Sequence, residues 1–163
     1  MTVRSKDWVP DDSFHDLIDG EFKGVKRVRD AWDKLGVTLG DRIVTSRDPE
    51  MEQLAKELRR ETLPEGFEQW QLPIVLGQGG RPVMAFITSG QPHALIPDHK
   101  HANDAVFRVV LGGSIIFRDS ELIPGDWMYV PAGQSYSFRA GRFGCVVMHL
   151  YNGALSLTRE AKH

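Results

Sequence analysis

His99-Lys100-His101, an apolar run ending in Gly112-Gly113, and then Gly125-Asp126-Trp127-Met128-Tyr129-Val130-Pro131-Ala132-Gly133-Gln134-Ser135-Tyr136 form the stretch on which the fold turns. Gly125 and Pro131-Ala132-Gly133 are turn signals, and the residues between them are short, aromatic and β-branched enough to be a strand. The same punctuation recurs on both sides. Gly77-Gln78-Gly79-Gly80, Gly90-Gln91-Pro92, Pro124-Gly125 and Gly141 separate β-rich runs at 74–76, 82–88, 94–96, 105–111, 114–117, 127–130, 135–138 and 145–151. Short strands at even spacing predict a mainly β sandwich or jelly roll.

Upstream of Trp70 the texture changes to charge-rich sequence with apolar residues at helical spacing. Asp48-Pro49-Glu50 reads as an N-cap, a proline at the first helical position and an acid in the first turn. Met51, Leu54, Ala55 and Leu58 then mark one face of a helix expected to end near Thr62. A second stripe, Val25, Val28, Trp32 and Leu35, predicts a helix over 22–35 with Gly36 as its stop. Residues 1–69 are therefore expected to form a helical extension on the barrel or on a partner subunit. Residues 70–163 are expected to form the barrel, the whole being one structural domain.

Composition narrows the function classes. The 163 residues suffice for one apolar core. Lys plus Arg number 20 against 22 Asp plus Glu, a formal charge of −2 that gives no general attraction to nucleic acid or anionic lipid, so neither is expected as a partner. No apolar run approaches the ~18 residues that span a bilayer. Cys145 is the only cysteine, which suits a reducing compartment, and a cytoplasmic location is the expectation.

The opening stretch resembles the two motifs of the cupin family. In that family two histidines one residue apart are followed by a glutamate, and a later segment of the form Gly-x5-Pro-x-Gly-x2-His supplies a third histidine. The resemblance spans about residues 82–150. It implies a cupin-like jelly-roll β-barrel with an N-terminal helical segment, and a divalent metal (Fe, Zn, Ni or Mn) held inside the barrel. His99 and His101 keep the family positions. The glutamate position falls on Ala105 or Val106, according to whether Gly112 or Gly113 closes the first motif. Tyr136 stands where the last histidine would be, and His93 where a glycine would be.

His99 and His101 stand two apart in an extended segment, so both rings point to one side, as a chelating pair requires. His149 completes a three-histidine site if its strand turns it inward, and faces the surface if not. Asp104 offers a carboxylate three residues after His101, or caps its own turn with Asn103. Tyr136 is expected to face the cavity as a hydrogen-bond donor or general acid. Arg108 interrupts an apolar strand. In the register closed by Gly113 it enters the pocket, where its fork suits a carboxylate or phosphate; in the other it faces outward.

Two functions follow. One is a small enzyme whose metal, on His99 and His101 with His149 or Asp104, transforms a small organic acid or carbonyl compound as an oxygenase, lyase, isomerase or cyclase, with Tyr136 and Arg108 assisting. The other is a metal-free barrel that binds or isomerises a small metabolite. The expected partners are a small-molecule substrate, of which a carboxylate is one candidate, and a second copy of the chain in a homodimer.

Overall fold

The structure is a computed structural model that describes residues 8–36, 38, 42–75, 82–102 and 104–151. A 3-10 turn at Ser13–His15 leads into a two-stranded hairpin, β1 (Leu17–Ile18) and β2 (Glu21–Phe22), and then into helices α1 (Lys23–Leu35) and α2 (Pro49–Glu57). Seven further strands follow: β3 (Phe67–Gln71), β4 (Met84–Gly90), β5 (Leu95–His99), β6 (Val106–Phe117), β7 (Ser120–Leu122), β8 (Trp127–Val130) and β9 (Tyr136–Tyr151). The expected mainly β architecture with a helical N-terminal segment is what the chain forms.

All pairings are antiparallel, and β6 and β9 carry the barrel. The second half of β9 lies between β4 and the first half of β6, with Ile87 opposite Met148 and Val109 opposite the same residue. Its first half pairs with β5 and with the second half of β6. β3 extends one sheet beyond β4, β8 borders the first half of β6, and β7 borders its second half. Two long strands thus pass from one sheet to the other and close the wall around a core of Met84, Phe86, Val106, Val110, Ile115 and Val147.

Each long strand was expected as two, separated at Gly112-Gly113 and near Gly141. The pairing shifts register between Val110 and Gly112 and again between Gly113 and Ile115, so those glycines mark bulges within a continuous strand. Gly113 has φ +59 and its missing Cβ would lie 2.1 Å from the Gly144 carbonyl oxygen. The strand expected at 74–76 does not form over its described residues, Ile74 and Val75; Leu76 and the Gly77–Gly80 turn lie outside them, as does Asn103. β3 had no counterpart in the sequence reading. Its residues alternate as Phe67, Gln69 and Gln71 inward, and inward glutamines hide the apolar alternation by which a strand is recognised.

The helices form a smaller core of their own from Val28, Trp32, Met51, Leu54 and Leu58. α1 ends where expected, with Gly36 at φ 63 as its left-handed cap. α2 stops at Glu57, short of Thr62, because Leu58 leaves helical geometry and the chain pairs Arg59 with Trp70 at the sheet edge. Trp32 Nε1 donates to the Pro73 carbonyl (2.8 Å) and buried Gln71 Nε2 to the Gly24 carbonyl (2.9 Å), fixing the helices to the β3 side.

Candidate functional site

One end of the barrel holds a cavity of about 40 Å³, lined on its wall by Gln69, Thr88, His99, His101, Arg108 and His149. The segment from Trp8 to Phe14 lies across its mouth, with Arg60, Thr62 and Leu63 beside it. Phe14 anchors this cover. It is buried in the barrel core, 4.8 Å from the Tyr151 ring and 5.2 Å from that of Phe86.

His99 ends β5 and His101 follows it, both buried. The turn at Pro131–Gly133 holds this segment in place: Gly133, at φ +76, donates its N–H to the His101 carbonyl (2.7 Å). It also starts β9 at Tyr136, which pairs with His99. The two rings and the phenol therefore meet. Tyr136 Oη is 2.9 Å from His99 Nε2 and 3.3 Å from His101 Nε2.

The outer nitrogens fix the tautomers. His99 Nδ1 is 2.8 Å from the Pro97 carbonyl, which only accepts, so Nδ1 carries the proton. His101 Nδ1 is 2.7 Å from Asp12 Oδ1 and donates to it likewise. Burial, with the Arg108 charge adding to it and the Pro97 carbonyl opposing, pushes the His99 pKa down to about 4. His99 is then neutral and its Nε2 accepts the Tyr136 proton. Burial raises the Tyr136 pKa, against the pull of Arg108, and keeps the phenol protonated. Tyr136 has one proton to share between the two ring nitrogens that face it, His99 Nε2 and His101 Nε2, and the Asp12 carboxylate stands behind His101.

Arg108 enters the barrel, in the register closed by Gly113, and is 4% exposed. Val106, fully buried two residues earlier, fills the position of the family glutamate with a hydrocarbon side chain. The guanidinium stacks between Tyr136 and Phe138, 5.0 and 5.1 Å from their ring centroids. Nε donates to His149 Nδ1 (3.3 Å), whereas Nη1 is buried with no hydrogen-bond partner. Burial opposes the charge, but the nearby Tyr136 and Tyr151 hydroxyls more than offset it and Arg108 stays cationic.

His149 points inward, and both of its nitrogens are engaged: Nδ1 accepts from Arg108, and Nε2 donates to Thr88 Oγ1 (3.2 Å), which also accepts from the Gln69 amide (3.0 Å). Burial and the Arg108 charge hold its pKa well below the ordinary value, so it is neutral. Asp104 is not on the cavity wall; it meets His15 Nε2 at 3.1 Å. The four residues expected around a metal are therefore not gathered at one point. Among the described residues, no group of three or more His, Cys, Asp or Glu side chains is arranged to hold a metal ion. Two imidazole nitrogens closed over by a protonated phenol, beside a permanent buried cation, do not fit a divalent metal.

Asp12 belongs to the site and had no signal in the sequence, because it lies 89 residues from the histidine it contacts. Trp8 stands edge-on to His99 at 5.1 Å, a second contribution from the covering segment. His93, at φ 63, adopts the left-handed conformation that suits the glycine of the resembled motif.

No family model matches the chain, and no curated protein does. Solved structures similar to it include KdgF from Halomonas sp. (16% identity over 60% of this chain and 87% of that one, TM-score 0.45) and an RmlC-like cupin from Shewanella frigidimarina (17%, 60% and 85%, 0.45). A third is Rhodobacter sphaeroides SigE in complex with the anti-sigma ChrR (18%, 89% and 70%, 0.44). At these identities and TM-scores the likenesses say nothing of activity.

Proposed function

We propose that the barrel is a metal-independent pocket that binds a small organic carboxylate on Arg108 and exchanges a proton with it through Tyr136 and the two histidines. The observation that carries this reading is the buried Arg108 Nη1, with no hydrogen-bond partner, on the wall of the cavity. An unsatisfied guanidinium N–H in a protein interior is costly unless something else bonds it. A carboxylate answers both its charge and its geometry. The cavity of about 40 Å³ has room for roughly three water molecules at ~10–15 Å³ each, which limits a ligand to a few heavy atoms while the cover is in place.

The chemistry rests on the order of protons. Tyr136 O–H lies between two ring nitrogens that can accept its proton, His99 Nε2 and, with Nδ1 donating to Asp12, His101 Nε2, so the phenol joins the two imidazoles in one hydrogen-bonded chain. Tyr136, expected to face the cavity, is not on its wall. A carboxylate held on Arg108 would present its neighbouring carbon or oxygen to His99 and His101, which do line it, with the phenol joining the two rings from behind. The lone buried Cys145 and the absence, among the described residues, of a helix able to cross a membrane accord with work in a reducing cytoplasm.

Titration calorimetry of the full chain with formate, acetate, glycolate and pyruvate tests the reading, with and without a chelator. Saturable binding that survives chelation is expected. Arg108→Met should weaken it by at least about a hundredfold, the scale of a lost charged hydrogen-bond pair. Because that change replaces a buried charge by a side chain of similar volume, thermal stability should change by less than ~2 kcal/mol. Stoichiometric metal in the purified protein, lost on His99→Ala with binding, would overturn the metal-independent reading.

A further inference from the structure

The segment from Trp8 to Phe14 crosses the mouth of the cavity in two rungs. Each rung meets a histidine of the His99–His101 stretch at one end and the chain that follows α2 at the other. In the first, Trp8 stands edge-on to His99, with ring centroids 5.1 Å apart, and donates its Nε1–H to the Thr62 carbonyl (3.3 Å). In the second, Asp12 accepts from His101 Nδ1 (2.7 Å), and its neighbour Asp11 accepts from Arg60 through its carbonyl (2.7 Å) and its carboxylate (3.2 Å). Behind both, Phe14 is buried in the core with the Arg60 guanidinium 5.3 Å from its ring, and His15 meets Asp104.

The two rungs are built differently. The second is made of charged hydrogen bonds to side chains that are largely buried, those of Arg60 and His101. The first has one long hydrogen bond at the surface, so what Trp8 contributes is bulk. Its half-buried indole packs against the barrel core, and Leu63, Ile96 and Phe138 line the same cavity with apolar surface.

We infer that Trp8 sets the size limit of the pocket, an inference that rests on Arg108 holding a carboxylate. With the indole across the mouth, the site takes acids of a few heavy atoms. Without it, a carboxylate carrying a flat apolar group fits, its acid end on Arg108 and its ring where the indole stood. An apolar space left by a removed side chain takes an aromatic ligand without rearrangement of its lining. The exclusion is steric, so it acts on ring-bearing acids and leaves acetate unaffected.

Titration calorimetry of the full chain with acetate and with benzoate, on the unaltered protein, Trp8→Ala and Trp8→Phe, tests this. Benzoate should bind the unaltered protein at least about tenfold more weakly than acetate. Trp8→Ala should gain at least about tenfold in benzoate affinity and keep its acetate affinity within a few-fold, the range over which pocket size discriminates. Trp8→Phe, which keeps a ring and loses the Thr62 bond, should retain most of the exclusion. Carbethoxylation of histidines, mapped by mass spectrometry, needs no bound acid: His99 should react faster in Trp8→Ala, with exposed His93 as the unchanged reference. Acetate bound but benzoate excluded alike from the unaltered protein and Trp8→Ala would overturn the size limit and leave the carboxylate reading standing. Benzoate gained by Trp8→Ala when the unaltered protein binds no acetate would remove the small-acid reading and keep Trp8 as the barrier. Benzoate bound by the unaltered protein as tightly as acetate, benzoate admitted equally by Trp8→Phe and Trp8→Ala, or no acid bound anywhere with His99 equally reactive throughout would each overturn the inference.

Discussion

At the scale of single residues, the site is decided by which hydrogen each polar atom holds. Tyr136 shows this best, because removing its hydroxyl keeps the ring packed between Arg108 and the histidines while deleting the donor to His99. Tyr136→Phe should cost ~1–2 kcal/mol in thermal unfolding, for one buried bond lost and one imidazole nitrogen left unpaired. Carboxylate binding should stay within a few-fold, since Arg108 is untouched. Proton exchange at the bound ligand, followed as deuterium uptake by NMR, should slow by about 10²–10⁴; unchanged exchange would remove Tyr136 from the chemistry. His99, His101 and Tyr136 were legible in the sequence because they lie at fixed offsets within two turn-bounded segments. Arg108 was half legible, since a charge in an apolar strand must go somewhere and only the bulge at Gly112-Gly113 settles where. Asp12 was not legible, because a contact across 89 residues leaves no periodic trace.

At the scale of elements, glycines that look like turns in the sequence act as bends in long strands. β6 and β9 were each expected as two strands, and each runs through because its glycines let the backbone bulge and turn from one sheet to the other. The two conformationally demanding glycines that frame the site differ in their surroundings. Gly113 and Gly133 both have positive φ, but a Cβ at Gly113 would lie 2.1 Å from the Gly144 carbonyl oxygen, and one at Gly133 would meet nothing within 4 Å. Gly133→Ala should therefore cost only the left-handed strain, ~1–2 kcal/mol. Gly113→Ala adds a backbone collision at the crossing of the two longest strands and should cost ~3 kcal/mol or more. Denaturant unfolding of the two variants checks the order; equal losses would mean that the β6–β9 crossing yields freely.

At the scale of the whole molecule, the barrel encloses a cation and two neutral imidazoles, and this ties its stability to pH. His99 titrates near 6.5 in an unfolded chain and at about 4 when folded. Between these values the unfolded state binds more protons, so stability rises with pH across that window. The contribution is complete above about 6.5 and is lost as pH falls toward about 4; the span corresponds to on the order of 3 kcal/mol. His149, held low by burial and by the same Arg108 charge, works in the same direction. The melting temperature should accordingly fall steadily from pH 7 to pH 4.5. His99→Gln should flatten part of that slope by removing one titrating ring. Arg108→Met should flatten it by a smaller amount, because burial, the main cause, still holds both imidazoles down while the neighbouring charge that adds to it is gone. A slope unchanged in both variants would place the acid sensitivity on carboxylates outside the barrel and detach the pocket's electrostatics from the stability of the fold.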